Sequence, residues 1–239
     1  MQRRFLVTPL HQDRQFLEGP HSRGSELLFA MKVFAEFIRG FRSLHFAGPC
    51  VTVFGSARFA EDHPYYKLAR EMGARIAQLG FTVMTGGGPG IMEAANRGAL
   101  EAGAKSIGLN IALPHEQYPN PYVTPELCFS FHYFAMRKLH FAMRARALVA
   151  FPGGYGTLDE VFEVLTLAQT RKLAPVPVIL VGREYWRRVF DPEFLAAEGT
   201  IDPEDLDLFW YAETAEDIWR DILRWYESKG EPLLQPEAG

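Results

Sequence analysis

The sequence predicts an α/β fold: a doubly wound, Rossmann-like parallel sheet of about six or seven strands, with helices on both faces. Short apolar runs alternate with helical patterns along most of the chain, which is the order that right-handed strand–helix–strand units produce. Two of these runs lead directly into glycine-rich loops that open a helix, as expected at the carboxyl ends of parallel strands. Further helical patterns extend this core at the N- and C-terminal ends.

Length and composition favour a single large domain. The 239 residues are divided into an N-terminal arm and amphipathic helix, residues 1–47, and one nucleotide-binding domain with C-terminal helices, residues 48–239. The net charge of −4 argues against a protein that binds nucleic acid through a basic surface. Since neither a secretory signal nor a membrane-length apolar stretch is recognised, we expect a cytoplasmic protein without membrane partners.

The first regular element is an amphipathic helix that is predicted to begin at Ser25 as its N-cap. Its apolar residues recur at spacings of three or four: Leu27, Met31, Phe34, Ile38 and Phe41. Core packing is the preferred interpretation of this face, and contact with a neighbouring subunit is the alternative. A strand at 51–54 then ends in Gly55-Ser56, which the residues alone identify only as a turn, and a helix follows at 65–79.

The first glycine loop follows a strand at 81–84 and precedes a helix that extends to about Ala102. Its glycines are Gly86, Gly87, Gly88 and Gly90. Glycine allows close approach of a ligand to the backbone, and the free N–H groups of a helix start favour an anion. The loop lacks the Gly-Lys-Ser/Thr of a Walker A loop and the full dinucleotide fingerprint.

Further strands are predicted at 106–110, 127–131, 147–151 and 175–181, and a helix at 133–146 precedes the third of these. The second glycine loop, Pro152 to Gly156, leads into a helix from about Thr157, with Glu160 in its first turn. A capping box formed by Thr157 and Glu160 explains the same residues without any ligand. The aromatic residues of the C-terminal helices are interpreted as core.

Both loops resemble the signature loops of the LOG (Lonely Guy) family, whose members were once labelled "possible lysine decarboxylase". The second loop matches the family pattern PGGxGTxxE at every fixed position, Pro152 to Glu160. Arg137, in the sequence Met136-Arg137-Lys138, lies 23 positions before Glu160, as the arginine of the family does. The resemblance extends roughly from residue 51 to residue 181.

The resemblance implies hydrolysis of the N-glycosidic bond of a nucleoside 5′-monophosphate, of the AMP or cytokinin riboside monophosphate type, to free base and ribose 5-phosphate. It implies catalytic roles for Arg137 and Glu160, because a carboxylate near the anomeric carbon stabilises an oxocarbenium-like transition state. Without the resemblance, the simpler interpretation of Arg137 is an arginine on the surface of a helix that pairs with a neighbouring carboxylate. Glu93 is a further candidate. The nucleotide-binding candidates are Gly55, Ser56, Gly86, Gly87, Gly88, Gly90, Met136, Lys138, Gly153, Gly154, Gly156 and Thr157.

Two other functions remain open. A non-catalytic protein of the same fold would use both loops to bind a nucleotide or the molybdenum cofactor. A lysine decarboxylase would need pyridoxal phosphate and a Schiff-base lysine, and none of Lys105, Lys138 and Lys172 has a recognisable setting for one. We expect no cofactor and no metal, since the histidines and cysteines show no metal-binding spacing. The resemblance also implies a homo-oligomer, a dimer or larger, with contacts through the Arg137 helix and the helix after Glu160.

Overall fold

The computed structural model describes residues 20–45, 47–111, 118–131 and 134–230, with the backbone alone for Phe134. The strands are β1 Cys50–Phe54, β2 Thr82–Thr85, β3 Ser106–Ile111, β4 Cys128–Phe131, β5 Ala145–Ala150, β6 Val178–Val181 and β7 Trp210–Ala212. The helices of the described ranges are α1 Arg23–Leu44, α2 Pro64–Gln78, α3 Ile91–Glu101, α4 Phe134–Arg144, α5 Tyr155–Gln169, α6 Arg183–Val189, α7 Pro192–Ala197 and α8 Ala215–Lys229. Short 3₁₀ helices occupy Pro125–Leu127 and Pro203–Leu208.

The seven strands form one sheet in the order β4-β3-β2-β1-β5-β6-β7, and every pair in it is parallel. The chain builds outward from β1 to one edge, returns to place β5 on the other side of β1, and then builds to the opposite edge. This reversal between β1 and β5 is the point where ligands bind in doubly wound folds. The predicted fold class is confirmed.

Helices cover both faces of the sheet and divide the core into two layers. On one face, α2, α3 and α8 pack on the strands, and Trp219 and Tyr226 of α8 are buried there. On the other face, the core includes residues of α1, α4 and α5 together with the fully buried Trp186 of α6. These aromatic residues confirm the core role predicted for the C-terminal region, whereas Phe194 is 58% exposed.

Helix α1 differs from the prediction in where it begins and in which of its residues are buried. It begins at Arg23, and Ser22 rather than Ser25 is the N-cap. Its buried residues, Glu36, Gly40 and Leu44, all lie in its C-terminal half. At Gly40 the helix approaches α4 so closely that a Cβ atom would overlap the imidazole of the fully buried His140.

The apolar face of α1 is largely exposed. We call its four exposed residues the α1 stripe: Leu27 is 65% exposed, Met31 59%, Phe34 60% and Ile38 42%. The prediction that this face packs in the core of its own domain is therefore wrong for these four residues. Hydrophobic periodicity predicted the helix correctly but did not predict what covers it.

Some predicted features lie outside the described residues. They are most of the N-terminal arm (1–19), residues 112–117 between the strands predicted at 106–110 and 127–131, and the end of the chain (231–239). Within the part that the structure describes, no helix is long and apolar enough to cross a membrane.

Candidate active site

Three loops meet at the carboxyl ends of β1, β2 and β5. The Ser56 backbone N–H donates to the Pro152 carbonyl at 2.9 Å, and the Ile91 N–H donates to the Ser56 carbonyl at 3.1 Å. Gly90 makes this junction possible, because it has a φ of 67° and any Cβ atom there would overlap the Ser56 carbonyl oxygen. The turn after β1 is thus hydrogen-bonded to both glycine-loop regions.

A cavity of about 650 Å³ opens between these loops and α4. Eight of the residues that line it were predicted site residues: Gly55, Ser56, Gly86, Arg137, Gly154, Gly156, Thr157 and Glu160. Six were not predicted: Phe54, Ala57, Arg58, Met92, Phe141 and Tyr155. The cavity therefore combines backbone-rich loops, an apolar wall and three charged side chains.

The two predicted catalytic residues face each other. Arg137 on α4 donates from Nη2 to Oε1 of Glu160 on α5 at 3.3 Å, and the two side chains are 13% and 5% exposed. The Arg137 guanidinium also lies over the Phe141 ring, 5.7 Å from its centroid, which restricts its position. An acidic and a basic group are thus buried together in the lining of the cavity.

The environment of Glu160 favours its neutral form. Burial raises the pKa of the carboxyl to about 7, and the positive charges of Arg137 and Lys138 oppose the rise only in part. A carboxyl group with a pKa near neutrality exchanges protons readily at physiological pH, which suits acid–base chemistry.

The start of α5 contains no capping box. The helix begins at Tyr155 with Gly154 as N-cap and no side-chain cap, and the Thr157 N–H donates to the Gly154 carbonyl at 3.0 Å. The alternative in which Thr157 caps the helix and Glu160 reaches back to it is wrong, because Glu160 extends to Arg137 instead. Since no side chain occupies this helix start, its N–H groups are available to a ligand.

The first glycine loop is held mainly by other parts of the protein. Gly87 donates its N–H to Thr85 Oγ1 at 2.9 Å, and the carbonyl groups of Gly87 and Gly88 accept from the backbone and side chain of Asn120. Buried Asn96 joins this network, since its Oδ1 accepts from both Thr85 and Asn120. Gly86 lines the cavity, but Gly87, Gly88 and Gly90 do not.

Four other predicted residues lie away from the cavity lining. Lys138 forms ion pairs with Asp159 at 2.7 Å and Glu163 at 3.2 Å. Glu93 accepts a hydrogen bond from the Tyr66 hydroxyl at 2.9 Å rather than pointing into the crevice.

Met136 packs beside the core, and the Gly153 carbonyl accepts a hydrogen bond from the Tyr185 hydroxyl. The structure gives these four residues structural contacts and does not bring them to the cavity. In the described ranges, no group of three or more His, Cys, Asp or Glu side chains is placed to hold a metal.

The unpredicted lining residues carried only weak sequence signals. Arg58 follows the Gly55-Ser56 turn directly, so its position in the chain was the only available indication. Tyr155 is the variable position of the second glycine loop and is 91% exposed. Met92 and Phe141 lie in amphipathic helices, where an apolar residue is normally assigned to the core.

Comparisons with known proteins identify the family of the chain. Residues 92–222 match the family model described as "Possible lysine decarboxylase". The cytokinin riboside 5′-monophosphate phosphoribohydrolase LOG of Oryza sativa is 33% identical over 183 residues, covering 75% of this chain and 74% of its own length. The corresponding enzyme of Rhodococcoides fascians is 32% identical over 158 residues, covering 64% of this chain and 78% of its own length.

A solved structure with the same fold is the molybdenum cofactor carrier protein of Chlamydomonas reinhardtii. It is 26% identical, aligns with a TM-score of 0.55, and the alignment covers 75% of this chain and 99% of the carrier. The signature loops, the family model and the curated relatives together show that the chain belongs to the LOG family.

Proposed function

We propose that this protein is a phosphoribohydrolase that cleaves the N-glycosidic bond of nucleoside 5′-monophosphates, of the AMP or cytokinin riboside monophosphate type. The observation that carries the proposal is the buried Arg137–Glu160 pair, 3.3 Å apart in the lining of a cavity to which both glycine loops contribute. A protein that only binds a phosphate has little use for a buried carboxyl group, whereas glycosidic cleavage requires one.

The reaction breaks the bond between the anomeric carbon and the base nitrogen. Water supplies a hydroxyl group to the anomeric carbon and a proton to the departing base, so the products are free base and ribose 5-phosphate. The Glu160 carboxylate would stabilise the positive charge that develops on the ribose, and would hold the ribose hydroxyls or orient the water. Arg137 would hold the nucleotide and assist departure of the base through its N–H donors.

The phosphate group would bind to the second glycine loop. Gly154 and Gly156 line the cavity at the start of α5, where no side chain caps the backbone. Free N–H groups and the helix dipole stabilise an anion at such a position. We propose the first glycine loop as a minor contributor, through Gly86.

The direct test is a chromatographic assay of base release from AMP, GMP, CMP, UMP and free adenosine. We expect base from at least one monophosphate, and a loss of about 10²- to 10³-fold in kcat for Glu160→Gln, as for removal of other transition-state contacts. Glu163→Gln is the matched control, because that carboxylate lies on the same helix but outside the cavity lining. Full activity of Glu160→Gln would refute this mechanism.

A molybdenum cofactor carrier is the second candidate, because the Chlamydomonas reinhardtii carrier has the same fold at 26% identity. Its binding function would need the glycine loops but not the carboxyl group of Glu160. Tight binding of a ligand without turnover of any monophosphate, unchanged by Glu160→Gln, would favour the carrier.

The description of the family model also names a lysine decarboxylase. Such an enzyme forms a Schiff base between pyridoxal phosphate and a lysine. None of the described residues that line the cavity is a lysine, and Lys138 is engaged by Asp159 and Glu163. The contacts therefore favour the phosphoribohydrolase.

We propose that the protein is a homo-oligomer, and that residues 48–239 form its domain with residues 1–47 as an addition. The α1 stripe supports the oligomer, because four large apolar residues at spacings of four, three and four are exposed. This spacing is suited to pairing with another helix, and a second copy of α1 provides one. Light scattering should give at least twice the monomer mass of 27.1 kDa, and a strictly monomeric mass would contradict the proposal.

A further inference from the structure

Two arginines and one glutamate line the cavity, and one of these arginines is paired with the glutamate. Arg137 and Glu160 form a buried pair. Arg58 is exposed, and none of the described residues offers its guanidinium group a hydrogen-bond acceptor or a carboxylate. The lining thus carries one uncompensated positive charge on its solvent-facing side.

The backbone of Arg58 is fixed although its side chain is not. Its N–H donates to Ser56 Oγ at 3.1 Å, and the Ser56 backbone is hydrogen-bonded to the loops after β2 and β5. The guanidinium group therefore extends from a turn that is held on both sides. Only the side chain has to adjust when a ligand enters.

Several arginines of the described surface have carboxylate partners. Examples are the pairs Arg70–Glu101, Arg97–Glu61, Arg187–Glu193 and Arg220–Asp217. Others, such as the exposed Arg75 and Arg171, have no such partner in the described ranges, and Arg58 differs from these because it also lines the cavity. A guanidinium group binds phosphate oxygens with two parallel hydrogen bonds, so an external phosphate would complete its contacts.

We infer that Arg58 binds the 5′-phosphate of the substrate and makes the enzyme select phosphorylated over unphosphorylated nucleosides. This rests on the function proposed above, and it assigns that selection to one side chain in addition to the glycine-loop backbone. The anomeric carbon must lie near the buried Glu160, and the phosphate, on the far side of the ribose, would then lie near the exposed lining residues, which are Arg58, Gly154, Tyr155 and Gly156. There Arg58 also offsets the repulsion between a dianionic substrate and a chain of net charge −4.

The experiment compares Arg58→Met and Arg58→Lys with the wild type. For Arg58→Met we expect the KM for AMP and the inhibition constant of ribose 5-phosphate to rise about 10- to 100-fold, the loss of one or two charge-assisted hydrogen bonds. The kcat should stay within about threefold, and inhibition by adenine should not change, because base and ribose contacts are intact. Arg58→Lys keeps the charge and should recover part of the loss.

Arg188→Met is the matched control, since it removes the same charge from an arginine that is 80% exposed on α6 and does not line the cavity. An unchanged inhibition constant for ribose 5-phosphate in Arg58→Met would overturn the inference. A weaker inhibition by adenine would overturn it too, because Arg58 would then contact the base.

Calorimetric titration with ribose 5-phosphate and with inorganic phosphate separates this inference from the proposed function. If the wild type releases no base from any monophosphate, the proposed function fails, yet these titrations still test Arg58. Binding to the wild type that is lost in Arg58→Met supports a phosphate contact at Arg58. Equal binding to both proteins, or binding to neither, refutes it.

Discussion

The two glycine loops have similar sequences and different tasks. The loop after β2 is held by a hydrogen-bond network that includes Thr85, Asn96 and Asn120, and of its glycines only Gly86 lines the cavity. The loop after β5 leaves its helix start uncapped and presents Gly154, Gly156 and the following turn to the cavity. The first loop thus stabilises the contact between the turn after β1 and the start of α3. The second loop contributes more of the residues proposed to contact the ligand.

This difference predicts opposite effects on stability. Glu160, in the helix of the second loop, holds a buried carboxyl group with a raised pKa, so its ionisation destabilises the folded protein. Gly90, at the end of the first loop, has a positive φ and lies so close to the Ser56 carbonyl that no side chain fits between them. Substitutions of Glu160, Gly154 or Gly156 should therefore reduce function and preserve or increase stability, whereas substitution of Gly90 should reduce stability.

The largest effect is expected for Glu160→Gln as a function of pH. The folded-state pKa of about 7 lies above the ordinary value of 4.5, so the folded protein retains a proton that the unfolded chain releases between these pH values. The wild type therefore loses unfolding free energy as the pH rises from about 4.5 to 7, on the order of 3 kcal/mol, and glutamine does not.

Denaturant titrations of both proteins at pH 5 and pH 8 measure this effect. The unfolding free energy of Glu160→Gln minus that of the wild type should be larger at pH 8 than at pH 5. Glu163→Gln serves as the control on the same helix. A stability difference between Glu160→Gln and the wild type that does not change with pH would show that the Glu160 carboxyl group does not titrate in this range.

The next largest effect is expected for Gly90→Ala. A Cβ atom at this φ of 67° is strained and would also overlap the Ser56 carbonyl oxygen, so we expect a loss of about 2 kcal/mol in unfolding free energy. Thermal unfolding measures the loss. An unchanged Tm would mean that the turn after β1 moves freely relative to the first loop.

The smallest effect, with the opposite sign, is expected for Gly156→Ala in the second loop. No atom lies within 4 Å of a Cβ at Gly156, which is the second residue of α5. Alanine favours a helix over glycine, so the unfolding free energy should rise by about 0.5 kcal/mol. The added methyl group should raise the KM for AMP, since Gly156 lines the cavity. A large drop in Tm would contradict the comparison between the loops.

The sequence predicted the sheet and its loops because strands and helices leave different periodicities, and because glycine marks the places where they change. The approach of Arg137 to Glu160 across 23 residues followed from the resemblance, since no local pattern encodes a contact between two helices. The exposure of the α1 stripe was not predictable, because an amphipathic pattern is the same whatever covers it. Arg58 was missed for a related reason: a lone arginine after a turn becomes informative only when its surroundings contain no carboxylate.

The contact between Gly40 and His140 links helix α1 to the helix that carries Arg137. His140 and Arg137 lie three residues apart on α4, about 4.5 Å along the helix axis, so the helix transmits a displacement of one to the other. Helix α1 belongs to the residues before the family match at 92–222, yet it fixes one side of the helix that carries the proposed catalytic arginine. We therefore expect that shortening residues 1–47 would shift Arg137 relative to Glu160 without removing a residue that lines the cavity.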